Sequence, residues 1–433
     1  MINCISIGCK VNQAEMAEIK ELDSRLRGND GINIAVINTC AVTATAEAKS
    51  RKLIRRFIRE NPDSRLIVTG CLAQAKPEEV RKIIRKGDMV VSNEEKNRIP
   101  KIVEELELDS RFRGNDSNEV EHHPRTRAFV KIQDGCNNFC SYCIVPFLRS
   151  EMWSKPLNTV DREISELVDK GYKEVVLTGI NLGKYDKSSS LRSFPRKRES
   201  RTGLDSCLRR NDDSKFTLVE LLRLLVKIYG LNRLRLSSIE LEDVSDELID
   251  LIAKNPVVCP HLHIPLQSGS DRILKLMKRH YTSGDFIKRV ELLKSRIKNP
   301  AITTDIIVGF PGESEEDFQQ TLAVCRSVGF SKIHIFPFSP REGTVGFGMP
   351  DKVKTDIIKK RFNLLNNLAS ELSFKYKQLF LDKDVEVLIE EKSEGFSDRY
   401  IKVRIKPGSN QIVKVKVTEV KPEWVNGQII RSR

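Results

Sequence analysis

Apolar positions in the first hundred residues follow two alternating rhythms. Short β-prone runs at 2–7, 33–38, 65–69 and 88–92 alternate with helix-period stretches at 12–22, 45–60, 77–86 and 94–105. Such alternation predicts a parallel sheet with helices on its faces. The rhythm resumes after residue 125. Strand candidates at 129–134, 174–179, 233–238, 261–267, 302–310 and 332–338 are separated by helical patterns at 159–170, 218–229, 245–254, 271–298 (read as two helices) and 314–329. Six successive βα steps curl a sheet into a barrel or partial barrel whose working end is the strands' carboxyl edge. A long connecting helix is predicted at 352–379. From about 383 the period drops to two, as in Val413-Lys414-Val415-Lys416-Val417. Alternation puts aliphatic residues inside a small β-barrel and Lys402, Arg404, Lys406, Lys414 and Lys416 outside. The fold class is therefore α/β, with a parallel-sheet domain at 1–106, a linker at 107–124, a six-step barrel at 125–378 and a small β-barrel at 379–433.

Composition adds a bias. Lys and Arg outnumber Asp and Glu by 74 to 60, which favours a polyanionic partner, nucleic acid first. The N-terminal residues have no basic segment leading into an apolar one, so no signal peptide is expected. No apolar run approaches the roughly 18 residues of a membrane span. Ten cysteines in such a chain read as cytoplasmic thiols and metal ligands rather than a disulfide framework.

The cysteines carry the most specific signal. Cys136, Cys140 and Cys143 sit in C-x3-C-x2-C spacing directly after an apolar strand. Short loops bring three sulfurs together at little entropic cost, and soft thiolates suit zinc, copper(I) or iron–sulfur clusters. Structural zinc takes four protein ligands; a fourth local Cys or His is lacking, which leaves a coordination position open. Cys9, Cys40 and Cys71 each end one of the first three strands, in Gly8-Cys9, Thr39-Cys40 and Gly70-Cys71. A parallel sheet aligns its carboxyl ends, so these three converge into a second site. Cys4, Cys259 and Cys325 read as core, and His261 and His263, alternating on one strand, as core or pocket residues. A nonapeptide beginning Leu22-Asp23-Ser24 recurs from Leu108 and Leu204. Its unequal spacing excludes a solenoid; the copies, including the insertion at 188–214, resemble translated fragments of a dispersed DNA repeat. Cys207 occupies the position of Arg25 and Arg111 in the other copies and is no ligand.

The C-x3-C-x2-C loop on a six-step α/β barrel resembles the radical S-adenosylmethionine superfamily. The first domain, with Gly8-Cys9-Lys10-Val11-Asn12-Gln13, Asn38-Thr39-Cys40 and Gly70-Cys71, is similar to its methylthiotransferase branch. The resemblance implies two [4Fe–4S] clusters and S-adenosylmethionine as cofactors. Cys136, Cys140 and Cys143 would hold the radical-generating cluster, and Cys9, Cys40 and Cys71 an auxiliary cluster that takes part in sulfur insertion. Gly179, Ile180, Asn181, Ser238, Gly309 and Glu313 would line the S-adenosylmethionine site. The terminal barrel resembles the TRAM domain, whose cationic face holds RNA. The implied reaction replaces an aromatic C–H with C–S–CH3 on a tRNA base in the anticodon stem-loop, starting from a 5′-deoxyadenosyl radical.

Together with Ala48-Lys49-Ser50-Arg51, the first two cysteine motifs look most like enzymes acting on N6-threonylcarbamoyladenosine beside the anticodon. N6-isopentenyladenosine and a ribosomal-protein aspartate are the alternatives within the branch. The resemblance further implies an electron donor, no membrane partner and a monomer. One departure bears on it: the run Arg149-Ser150-Glu151-Met152-Trp153-Ser154-Lys155 has fewer basic residues than the Arg-rich run of similar proteins. That motivates a different class of reading, a non-catalytic iron–sulfur protein that binds RNA; a zinc protein is the third.

Overall fold

The computed structural model describes residues 2–23, 34–108, 126–185, 217–391, 393–405 and 411–430. The insertion at 188–214 and Lys406 lie outside these residues, as do the repeat copies apart from Leu22, Asp23 and Leu108. In the first domain, strands β1 (Ile2–Ser6), β2 (Ile34–Thr39), β3 (Arg65–Gly70) and β4 (Met89–Val90) form a parallel sheet in sequential order. Helices α1 (Lys10–Asp23), α2 (Ala44–Glu60) and α3 (Cys71–Ala75) leave the carboxyl ends of β1, β2 and β3. Met16 and Ile19 of α1 pack on Ile34, Val36 and Ile67. Ile54 and Phe57 of α2 cover the other face through Ala35, Ile37, Leu66 and Val68. Covered on both faces, β2 and β3 are apolar almost throughout. Thr43 caps α2 by accepting from the Ala46 amide, worth about 1 kcal/mol. Helix α3 escapes a periodicity search because five residues span too little of a helical repeat to register one.

The barrel strands are β5 (Arg127–Asp134), β7 (Glu174–Gly179), β8 (Arg233–Leu236), β9 (His261–His263), β10 (Ala301–Val308) and β11 (Lys332–Pro337). A two-residue strand β6 (Trp153–Ser154) pairs antiparallel with β5. Parallel pairing runs β5-β7-β8 and β9-β10-β11. Bridges Leu234↔Val258 and Ser238↔His263 join the two groups, giving an open six-stranded barrel. Strands β8 and β9 are shorter than their apolar patterns suggested, and the chain turns at Gln267 with φ 64°.

Outward side chains such as Val130, Ile132, Val175, Leu177, Leu234 and Leu236 pack under the helices in one large core. The inward side chains are largely polar: Lys131 and Gln133 on β5, Glu174 and Thr178 on β7, Arg233 and Arg235 on β8, and His261 on β9 are all buried. Such a lumen does not close into an apolar core; buried charged and polar side chains line it. Cys259 and Cys325 are buried core residues, as expected, and Cys4 packs beside the first domain's inner cluster. Among the described residues no helix is long and apolar enough to cross a membrane.

After the helix Thr355–Gln378, strands β12 (Asp384–Glu391), β13 (Glu394–Ser397), β14 (Lys402–Arg404), β15 (Ile412–Val420) and β16 (Val425–Ile429) close a barrel in the order β12-β13-β14-β16-β15. Val387, Ile389, Val403, Val415, Val417 and Val425 fill it. This small barrel docks at the amino-terminal end of the large one. There Arg127, Glu174 and Arg233 lie side by side across β5, β7 and β8. Arg235 donates to Glu174 at 2.7 Å and 3.1 Å and to the carbonyls of Asp398 at 2.8 Å and Ser397 at 3.2 Å. Arg127 reaches the Tyr400 hydroxyl at 3.2 Å. Removing one partner of a buried ion pair leaves the other uncompensated, at a cost of about 3–5 kcal/mol. Arg235→Met should therefore destabilise the protein by about that amount in urea unfolding; a change below about 1 kcal/mol would contradict this docking.

Candidate active site

The carboxyl edge of the first sheet gathers Cys9, Cys40 and Cys71. Gly8, at φ 112°, sits so close to Cys40 that a Cβ there would come 2.8 Å from the Cys40 Cβ and 3.1 Å from its Sγ. Asn12 fixes this turn: its Nδ2 donates to the Ile7 carbonyl at 2.8 Å and the Thr39 carbonyl at 3.1 Å, and its Oδ1 accepts from Cys9 Sγ at 3.8 Å. Ser50 braces Cys40 by accepting from its amide at 3.0 Å. Cys9 is solvent-accessible yet walled by protein on most sides, as a residue lining a chamber would be. Burial pushes the Cys40 thiol up to about 12, with Cys71 and Cys9 adding to the shift. Burial, and then Cys71, also raises Cys9. These mutual effects place the three sulfurs in one another's field, so ligation there would release protons.

The second triple follows β5. Gly135, at φ 80°, admits no side chain, since a Cβ would fall 2.3 Å from the Glu151 carbonyl oxygen. The Cys143 amide bonds the Cys140 carbonyl at 3.0 Å, and the Ser141 amide bonds Met277 O at 3.1 Å. Burial, then Cys140 and Cys136, raises the Cys143 thiol to about 12. Asn181 approaches Cys136 Sγ with its Nδ2 at 3.9 Å, while its amide donates to Gln133 Oε1 at 2.7 Å. Its own Oδ1 is buried and lacks a partner among the described residues. Arg279, held by Glu240, places Nη1 3.6 Å from Cys140 Sγ.

Of the segment Gly179, Ile180 and Asn181 at the end of β7, Asn181 reaches the cysteine loop, at Cys136 and Asn138. Ser238 is exposed beyond the end of β8, whereas its neighbour Ser237 is buried with an unpartnered hydroxyl. Gly309 and Glu313 form a self-contained turn after β10: Glu313 Oε2 accepts from the Gly309 amide at 2.8 Å and from Arg361 at 2.7 Å. The protein itself uses that carboxylate. Among the described residues no three His, Cys, Asp or Glu side chains are packed tightly enough to ligate one metal ion.

A buried ion network that the sequence did not reveal joins the two triples. Arg149 bonds Asp134 at 2.8 Å and Glu15 at 2.9 Å through Nη1, and Asn12 Oδ1 at 3.1 Å through Nη2. Its carbonyl accepts from the Cys136 amide at 3.3 Å. One residue therefore touches the backbone of one triple and the asparagine that steadies the other. Lys131 at 3.0 Å and Lys96 at 2.6 Å complete the shell of Glu15. Burial opposes ionisation of Glu15, but Lys131, Lys96 and Arg149 outweigh it and hold the carboxyl well below its usual range.

The two basic residues kept in the 149–155 run are both in use: Lys155 pairs with Glu18 at 2.8 Å and Glu163 at 2.7 Å. On the terminal barrel the outward cations have carboxylate neighbours. Glu394 engages Lys402 at 2.7 Å and Arg404 at 2.8 Å, and Asp384 engages Lys414 at 3.3 Å; Lys416 is exposed. Arg149→Met leaves two buried carboxylates short of a cation and should lower stability by about 3–5 kcal/mol. Arg149→Lys keeps the charge but loses the fork and should fall in between. Chemical denaturation measures both; an unchanged midpoint for Arg149→Met would refute the network's role.

Residues 130–325 match the Radical SAM superfamily, and residues 1–92 match the uncharacterized protein family UPF0004. The chain is 39% identical over 398 residues to the threonylcarbamoyladenosine tRNA methylthiotransferase MtaB of Thermotoga maritima, covering 89% of this chain and 85% of that protein. It is 34% identical to the protein of the same name from Bacillus subtilis, over 98% of this chain and 95% of that one. It is also 34% identical to the tRNA-2-methylthio-N(6)-dimethylallyladenosine synthase of Clostridium novyi, over 98% and 95%. The radical S-adenosylmethionine methyltransferase TsrM of Kitasatospora setae shares the fold at a TM-score of 0.52 and 14% identity, covering 80% of this chain and 76% of that one. Near-complete coverage at these identities joins the paired cysteine edges in one conclusion: the chain belongs to the radical S-adenosylmethionine methylthiotransferase family.

Proposed function

We propose that this protein methylthiolates tRNA, converting N6-threonylcarbamoyladenosine just 3′ of the anticodon to its 2-methylthio derivative. In this reading Cys136, Cys140 and Cys143 hold the cluster that works with S-adenosylmethionine, and Cys9, Cys40 and Cys71 hold a second [4Fe–4S] cluster. The observation that carries it is the pair of three-cysteine edges joined through Arg149. Each edge supplies three thiols and leaves a position on its cluster for an exogenous ligand. The orphaned Oδ1 of Asn181 and hydroxyl of Ser237 add polar groups that suit a polar cofactor. When bound, the clusters and S-adenosylmethionine supply the radical and sulfur chemistry that replaces C–H with C–S–CH3.

The chain's own residues provide position and field. Arg279 lies against Cys140 and would compensate part of the charge of a cluster-bound sulfur there. Arg149 would do the same, at longer range, for the first triple. Gly135 lets the loop fold back on Glu151. Lys416, Arg404 and the remaining cations of the terminal barrel would hold RNA through its phosphates, with binding that weakens steeply as salt rises.

The names of the Thermotoga and Bacillus relatives support the threonylcarbamoyl substrate. The Clostridium relative makes dimethylallyladenosine the second reading. Nucleoside mass spectrometry of tRNA from a deletion strain separates them: 2-methylthio-N6-threonylcarbamoyladenosine should disappear and return on complementation. Loss of the dimethylallyl product instead would favour the second reading. In reconstituted protein, Cys40→Ala should abolish methylthio product yet still form 5′-deoxyadenosine, whereas Cys136→Ala should abolish both. Methylthio product from Cys40→Ala would refute the second cluster.

A further inference from the structure

Lys10 takes no part in the junction between the triples. It directly follows Cys9, and its side chain enters the barrel lumen, where the ammonium lies 5.8 Å from the centre of the Tyr400 ring. The groups that face it come from several strands: Arg127 on β5, Glu174 on β7, Arg235 on β8, His261 on β9 and His334 on β11. Glu174 is already engaged by Arg127 at 3.0 Å, Arg235 at 2.7 Å and, less closely, Arg233 at 3.7 Å. Glu390 balances Arg127 at 3.0 Å, and Asp305 is held by His263 at 3.2 Å.

Lys10 itself has no hydrogen-bond or ion-pair partner among the described residues. Behind it the His261 ring, 3% exposed, stacks on Tyr400 at 5.3 Å with its Nδ1 unpartnered. Among the described residues, Lys10, Arg127, Arg233 and Arg235 thus outnumber the carboxylates paired with them, Glu174 and Glu390. A buried polar lumen with that surplus attracts an anion, and the Lys10 ammonium and the unpartnered Nδ1 of His261 both face it.

We infer that Lys10, backed by His261, binds a carboxylate on the N6 substituent of the target adenosine. This selects a base carrying an amino-acid group over one carrying a neutral alkyl group. The inference rests on the proposed function and assigns its substrate preference to residues: the threonyl group ends in a carboxylate, and a dimethylallyl group has none. A hydrogen bond to a charged group that is made only with the acid corresponds to about tenfold to a hundredfold in affinity.

The test uses reconstituted full-length protein and anticodon stem-loops bearing N6-threonylcarbamoyladenosine, its carboxyl methyl ester or plain adenosine. Binding is read by fluorescence anisotropy, and methylthio product by mass spectrometry. The wild type should bind the acid about tenfold or more tightly than the ester. Lys10→Gln should lose that preference while binding the ester and plain loops as the wild type does, and Lys10→Arg should keep it. Equal wild-type affinity for acid and ester, or an intact preference in Lys10→Gln, would overturn the inference. Methylthiolation of acid and ester alike by the wild type would overturn it and leave the proposed function standing. Failure of the wild type to methylthiolate the threonylcarbamoyl loop would overturn both.

Discussion

The architecture depends on a buried charge arrangement in which Glu15 and Asp134 share Arg149 and Lys131. The two cysteine edges belong to different sheets, and nothing in either sheet fixes the distance between them. Helix α1 carries Glu15 to the barrel, β5 carries Lys131 and Asp134, and the segment after the cysteine loop brings Arg149. Such a network adds little stability compared with an apolar interface of the same shape. It does impose geometry, because a displaced partner would leave a charge buried and unpaired. The junction therefore favours a single arrangement of the two sulfur sites.

The same logic shapes the chamber. In a closed eight-stranded barrel, branched apolar side chains fill the interior. Here Arg127, Lys131, Glu174, Arg233, Arg235 and His261 point inward, and the six strands leave one side open for α1 to cover. The terminal barrel supplies the floor through Tyr400, which His261 and Arg235 contact from above. Lys10 approaches that floor from the first domain, so all three parts of the chain meet at one point in the lumen. Binding of a polar substrate is then a property of the assembled chain rather than of any one part.

Much of this was legible in the sequence, and the part that was not has a physical reason. Strand positions and the convergence of Cys9, Cys40 and Cys71 follow from local period and from the rule that parallel strands share a carboxyl edge. Lys131 and Gln133 inside an otherwise apolar strand hinted at a polar lumen. Glu15 and Arg149 carried no such hint: they lie 134 residues apart, and only the packing of α1 against β5 makes them partners. The run after Cys143 has fewer basic residues than the Arg-rich run of similar proteins, and its pattern alone did not show what the two it keeps would bind. The structure shows that Arg149 and Lys155 take structural roles there. For the terminal barrel the period gave the outward cations correctly, but Glu394 and Asp384, placed beside them by strand pairing, reduce their free charge.

The central claim is that the two cysteine triples hold separate clusters that face one chamber at a fixed, short separation. Pulsed electron paramagnetic resonance on reconstituted, fully reduced protein tests it most directly. The account predicts dipolar coupling between two four-iron centres, which collapses to a single uncoupled centre in either Cys40→Ala or Cys136→Ala. Two uncoupled centres in the intact protein, or one centre only, would contradict it.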